Sequence, residues 1–363
     1  MPLSCWPLRA VLILATAACV ASAQSAPAAK PLPRVWVLST GGTIAGQGSS
    51  STDLTNYKGG SLTGADLVRA VPEIAAIAQI KTEQIANVGS ADITVAHWLQ
   101  LANRINQIFT EEPGTAGVVI THGTNTIEET AYFLNLTVKH DRPVVLVGSM
   151  RPASAISADG PLNLLNAVRT VLSPEARGKG VLVVLNDEIH AARDVSKTNT
   201  LRVETFRSQD LGFLGYADGD RVSFYRAPTR RHTVNSEFDV KGRTTLPQVE
   251  ILYSYVEPSG VLLKALLASG APGIVFAGSG AGLISSAEKA ALQPAFAMPA
   301  QRRPVMVRSN RTGSGRVTAR DEYDKLGIIP GDTLNPQKAR ILLMLALTKT
   351  RDVAALNRIF STY

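Results

Sequence analysis

The chain has 363 residues, of which 45% are hydrophobic and 18% charged; this suffices for a sizeable core and excludes a disordered or low-complexity polymer. The length suggests two domains. Lys and Arg outnumber Asp and Glu by 37 to 29, but they are scattered, and without a basic face to track a phosphate backbone no nucleic-acid partner is expected.

Arg9 precedes an apolar stretch over residues 10–20, and Ala21-Ser22-Ala23 supplies the small-x-small pattern read by signal peptidase before Gln24. Residues 1–23 are therefore expected to be a signal peptide and the mature chain to be periplasmic or secreted. A membrane anchor needs about 20 apolar residues, and no run in the sequence reaches that length. Cys5 and Cys19 both fall in the segment to be removed, which leaves no thiol for a disulfide, a nucleophile or a thiolate metal site. Cys19 also lacks the apolar residue three positions earlier that a lipoprotein anchor requires. Residues 25–33, rich in Ala and Pro, read as a flexible lead-in. His97, His122, His140, His190 and His232 are far apart, and none shows the i, i+4 spacing of a helical metal pair, so no metal is expected.

Residues 35–39, 117–121, 143–148 and 180–185 are short β-branched runs bounded by Gly or Pro, the pattern of strands buried on both faces. Between them lie amphipathic stretches: residues 95–109 repeat apolar positions at helical spacing and residues 127–138 start with an acidic first turn. Pro161 suits the opening of a helix over 162–172. This alternation predicts an α/β fold with a parallel sheet, doubly wound and flavodoxin-like, over residues 34–220. Residues 221–248, rich in Arg, Thr and turn formers, read as a linker, and the short basic run Arg230-Arg231-His232 within them as a loop. Strands at 249–255, 273–277 and 304–308, helices at 260–267 and 286–298, and two closing helices predict a second, smaller α/β domain over 249–363.

Two threonine loops follow strands directly. The first is Ser39-Thr40-Gly41-Gly42-Thr43-Ile44-Ala45-Gly46 and the second is Thr121-His122-Gly123-Thr124-Asn125-Thr126. Both sit at carboxyl ends of strands, where open parallel sheets place their ligands. Either loop alone also reads as a tight turn, and neither has the spacing of a phosphate cradle. A threonine hydroxyl attacks a carbonyl if a base removes its proton and backbone N–H groups hold the oxyanion. With the histidines dispersed, Lys197 and Tyr57 are the candidate bases, against the plainer reading of Lys197 as a solvated surface charge.

The two loops, with Ile127-Glu128-Glu129-Thr130 after the second, resemble the paired signatures of the bacterial-type L-asparaginases, in particular the exported type II and glutaminase-asparaginase branch. The resemblance continues through Gly148-Ser149-Met150-Arg151-Pro152, Ser157-Ala158-Asp159-Gly160-Pro161, Val184-Leu185-Asn186-Asp187, Lys197-Thr198-Asn199 and Leu334-Asn335-Pro336. It implies a nucleophile at Thr43 and a partner tyrosine, Tyr57, on a loop that closes over substrate. It also implies a hydrogen-bonded Thr124–Lys197 pair and a serine, Ser90, that holds the substrate α-carboxylate. Glu322, with Asp321 beside it, matches an acidic residue contributed by a neighbouring subunit. A homotetramer of close dimers without metal or organic cofactor follows, in which each site is completed by the partner's smaller domain.

Three positions depart from that pattern. Asn125 stands where an aspartate is usual and Ala91 where Gln or Glu is usual, both positions that usually meet the substrate α-ammonium. Leu283 stands where some members have asparagine. The expected activity is hydrolysis of L-asparagine to L-aspartate and ammonia through a threonyl acyl-enzyme. A glutaminase-leaning enzyme is the alternative within the family, and a periplasmic amino-acid binding protein the alternative outside it.

Overall fold

The computed structural model of the chain describes residues 1–4 and 31–363. The expected signal peptide beyond residue 4, both cysteines and the lead-in to residue 30 lie outside the described residues. Among those described, no helix is long and apolar enough to cross a membrane.

The larger domain is built on eight strands: β1 (Arg34–Gly41), β2 (Gln79–Val88), β3 (Thr115–Thr121), β4 (Val144–Val147), β5 (Val181–Leu185), β6 (Glu188–Ala191), β7 (Gly215–Ala217) and β8 (Val222–Phe224). They lie in the order β8-β7-β6-β5-β4-β3-β1-β2. The first five are mutually parallel and the last three antiparallel. The crossovers carry α1 (Gly64–Arg69), α2 (Val95–Glu111), α3 (Ile127–Thr137) and α4 (Gly160–Leu172). Alternate side chains of each strand face opposite cores: Trp36 and Leu38 pack toward α2 and α3, while Val35 and Val37 pack toward α1 and α4. Helices thus cover both faces, as the β-branched runs predict.

Capping sets several helix starts. Thr94 accepts the N–H of His97 at 3.3 Å to open α2, and Asn335 accepts that of Lys338 at 3.0 Å to open the helix that follows it. The parallel strands end at a tight reversal between β5 and β6, where Asn186 and Asp187 take φ of 50° and 63°. Two consecutive left-handed residues form the mirror-image turn that suits a two-residue hairpin.

The smaller domain has a four-stranded parallel sheet of β9 (Val249–Tyr253), β10 (Gly273–Gly278), β11 (Val305–Asn310) and β12 (Ile329–Pro330), in that order. One face is covered by α5 (Val261–Ser269) and α6 (Ser286–Phe296), the other by α8 (Pro336–Ala346) and α9 (Val353–Thr362), and the short α7 (Asp321–Asp324) precedes β12.

Several details differ from the sequence reading. Helix α3 is not amphipathic in its setting: Ile127, Ala131, Phe133, Leu134 and Leu136 are all fully buried, because α8 of the smaller domain lies against its outer side. The stretch 221–248 opens with β8, an edge strand of the large sheet. It then packs back on α3, where Ser236 Oγ donates to the Leu136 carbonyl and Phe238 and Val240 are buried. Strand β2 has no counterpart among the expected elements.

Candidate active site

The parallel strand order β5-β4-β3-β1-β2 has its topological switch point between β1 and β3, where crossovers leave in opposite directions and a crevice opens at the carboxyl edge. Register places Ser39 beside Thr121 and Gly41 beside Val88, so the segments after β1, β3 and β2 emerge side by side. These are the segments that carry Thr43, Thr124 and Ser90.

Close approach of the first two loops depends on glycine. Gly42 has φ of 83°, and a Cβ there would lie 2.2 Å from the Cα of Gly123. A Cβ on Gly123 would in turn lie 2.7 Å from that of Ser90. Backbone therefore packs on backbone, and a side chain at either glycine would force the loops apart. Gly42 N donates to the Val88 carbonyl at 3.0 Å and Asn125 N donates to Ser90 Oγ at 3.1 Å, while Thr126 Oγ1 donates to the Ser90 carbonyl at 2.6 Å. These bonds bind the three segments into one platform.

Two polar pairs stand on it. Thr43 Oγ1 lies 2.8 Å from Tyr57 Oη. Tyr57 begins the second of two short antiparallel strands, Gln47–Gly48 and Tyr57–Lys58, and its ring lies against Gly46, where a Cβ would come within 2.8 Å. In the second pair, Lys197 Nζ donates to Thr124 Oγ1 at 2.9 Å and to Asn125 Oδ1 at 2.8 Å. Lys197 is half-buried, which holds its ammonium below the usual lysine range, and Glu128 opposes that shift. Both oxygens that meet its ammonium are neutral. An ammonium has donors only, so the Asn125 amide must present its oxygen to Lys197 and its nitrogen elsewhere.

The loop between β3 and α3 is fixed from behind by His122, which is fully buried. Trp98 Nε1 donates to Thr130 Oγ1 at 2.8 Å, so the Thr130 hydroxyl proton is free for His122 Nε2 at 2.9 Å. Nδ1 then carries the ring proton and donates to the Gly123 carbonyl at 2.8 Å. Burial lowers the His122 pKa to about 4, so the ring is neutral and serves as a strut.

Six of the seven residues singled out in the sequence thus meet: Thr43, Tyr57, Ser90, Thr124, Asn125 and Lys197. Glu322 does not contact them within the chain. It lies exposed on α7 and binds Lys289 at 2.6 Å, an ion pair that holds its carboxyl below the usual range. Ala91 and Leu283 are exposed, the latter in a turn closed by the Ser279 and Leu283 backbones. Among the described residues, no group of three His, Cys, Asp or Glu stands in position to hold a metal ion. Two contributors escaped the sequence reading. His122 and Glu128 both lie in quoted motifs, and only their burial reveals their part.

Fold and site define a two-domain α/β chain that presents paired threonine hydroxyls and a lysine at the switch point of a doubly wound sheet. Residues 34–230 match the family profile described as "Asparaginase, N-terminal", and residues 248–360 the "Glutaminase/Asparaginase C-terminal domain". The chain is 49% identical over 342 residues to "L-asparaginase 2" of Bacillus subtilis, covering 94% of this chain and 90% of that protein. It is 48% identical over 337 residues to "Probable L-asparaginase periplasmic" of Haemophilus influenzae, covering 92% and 94%. A solved structure titled "Probable Cytoplasmic L-asparaginase from Campylobacter jejuni" superposes with a TM-score of 0.88 at 50% identity, covering 91% of this chain and all of that one. The chain belongs to the asparaginase family.

Proposed function

We propose that the chain hydrolyses the side-chain amide of L-asparagine to L-aspartate and ammonia, with Thr43 as nucleophile. The observation that carries this reading is the pairing of Thr43 with Tyr57 and of Thr124 with Lys197 on loops locked glycine to glycine. Thr43 Oγ1 attacks the amide carbon as its proton passes toward Tyr57 Oη, and the C–N bond breaks as the nitrogen gains a proton and leaves as ammonia. Water then attacks the threonyl ester, its proton taken through Thr124 and Lys197, and the C–O bond to Thr43 breaks with return of the proton. Lys197 acts as a base only when neutral, and its burial favours that form at lower pH than a solvated lysine allows. Ser90, on the same platform, holds the substrate α-carboxylate, and Asn125 stands beside it.

The site is read as complete only in an oligomer, a homotetramer in which Glu322 comes from a neighbour. This accounts for a carboxylate that contacts Lys289 and Arg320 rather than the site residues in its own chain. It also accounts for the exposed Tyr253, Tyr255, Val256, Val261 and Leu262 on the smaller domain, an apolar patch that a second subunit would cover. Residues 34–220 supply the catalytic domain and 249–363 the domain lent to the neighbour. Export is supported by the leader-like pattern around Arg9 and Ala21-Ser22-Ala23 and by the periplasmic label of one relative, while the similar solved structure carries a cytoplasmic title.

Ammonia release from asparagine and glutamine, at equal concentrations of purified enzyme, tests the reading. Turnover of asparagine is expected, with lesser release from glutamine. Preference for glutamine would favour the glutaminase alternative, and saturable binding without ammonia from either would favour a binding protein.

A further inference from the structure

Glu128 has no step in the chemistry above, yet its carboxylate is buried and bonded on both sides. Oε2 accepts the backbone N–H of Lys197 at 3.1 Å, and Oε1 accepts the side-chain amide of Gln337, which stands in the first turn of α8 in the smaller domain. The neighbours of Gln337 grip the same stretch. Asn335 Nδ2 donates to Ser196 Oγ at 3.1 Å. The fully buried Lys338 donates to the carbonyls of Arg193, at 2.9 Å, and Val195. The segment so held has little pairing of its own, because Ser196–Lys197 is a two-residue strand matched only to Phe206–Arg207.

We propose that Glu128 and Gln337 are positioning residues for Lys197, through which the smaller domain fixes the base of the larger domain in the same chain. This rests on the reading of Lys197 as a base. The groups around the ammonium are Thr124 and Asn125 from the β3 loop and Glu128 from α3. Behind Glu128 stand Glu129 of α3, Lys338 of α8, and Arg193 and Asp194 of the preceding turn. Glu128 is the carboxylate that favours the charged form of Lys197. Its loss acts twice, by freeing the Lys197 backbone and by favouring the neutral amine.

The test is the pH dependence of kcat/KM for Glu128→Gln, Gln337→Leu and Lys197→Met, with thermal unfolding of each. Glu128→Gln keeps the shape and an acceptor for the Lys197 N–H. It is expected to move the acid limb to lower pH by about half a unit or more, since removal of an anion lowers the pKa of a nearby cation. In the same variant kcat falls while KM stays within about twofold, the pattern of lost positioning rather than lost binding. Gln337→Leu leaves the charge in place and is expected to lower kcat by about fivefold or more with little movement of the limb. Wild-type profiles from both variants, in folded protein, would overturn the proposal. If Glu128→Gln does not fold, Gln337→Leu decides alone, by a fall in kcat at unchanged KM or by its absence. Lys197→Met distinguishes the two levels: full activity in it removes the base reading and the proposal with it. Its inactivity beside wild-type profiles for the other two removes the positioning role alone.

Discussion

Asn125→Asp places a carboxylate where Lys197 now meets an amide oxygen, and the effect on the two groups can be worked separately. At the present 2.8 Å, a unit charge pair is worth about 1.5 kcal/mol even at the screening of bulk water. Converted at 1.36 kcal/mol per unit, this raises the Lys197 pKa by about one pH unit, and by more to the extent that the half-buried site screens less than water. The sign is fixed by the charges: an anion favours the ammonium, the base is neutral over a narrower range, and the acid limb of kcat/KM moves up by that amount. The second effect shows where the substrate α-amine is still protonated. If the α-ammonium of asparagine lies against this position, a charged acceptor contributes about 1.5–3 kcal/mol against about 1 for a neutral one, and KM falls by about twofold to thirtyfold. The assay is ammonia release over the full range of pH at saturating and limiting asparagine. An unmoved acid limb would refute the assignment of Lys197 as the titrating base. An unchanged or raised KM at pH values where the substrate amine is charged would mean that the ammonium is held elsewhere, by Glu322 of a neighbour or by a group outside this platform.

Thr43→Ala should lower kcat by about a thousandfold or more with an unchanged unfolding temperature, while Thr43→Ser keeps measurable turnover; wild-type-like ammonia release by the alanine variant would take the nucleophile role from Thr43. If Glu322 acts across subunits, mixing inactive Thr43→Ala chains with inactive Glu322→Ala chains restores activity in hetero-oligomers, and no recovery after verified mixing would argue for a site contained in one chain. Gly42→Ala meets both a φ of 83° and a contact of 2.2 Å to the Gly123 Cα. It should cost about 2 kcal/mol or more in chemical unfolding together with most of the activity, and a stable, active variant would show that the loops are not packed as described.

The core of the larger domain was legible because β1, β3, β4 and β5 are buried on both faces and so are written in β-branched residues. Strand β2 was not, for the complementary reason: it is the sheet edge, and Lys81, Thr82, Glu83 and Gln84 serve solvent and polar partners rather than a core. The β5–β6 reversal passed unseen because its left-handed residues are Asn186 and Asp187 rather than glycines. Within the candidate site, position after a strand was enough to find the threonine loops, since both begin where a buried parallel strand ends. Glu128 looked like an acidic residue favouring a helix start. Its bond to Gln337 spans 209 positions, and no local pattern carries information over that distance. Glu322 was singled out by resemblance alone, and its ion pair with Lys289 gives no hint of an outward role.

The contact between Gly42 and Gly123 leaves no room for trade between the two loops. Enlarging one residue cannot be offset by trimming the other, since both already lack a side chain and the touching atoms belong to the main chain. Random libraries that vary these two positions will therefore return almost nothing but the parent. Diversity aimed at new amide substrates belongs at the exposed positions 49–52 and 54–56 of the segment that leads to Tyr57, and at Ala91, where a longer side chain displaces water.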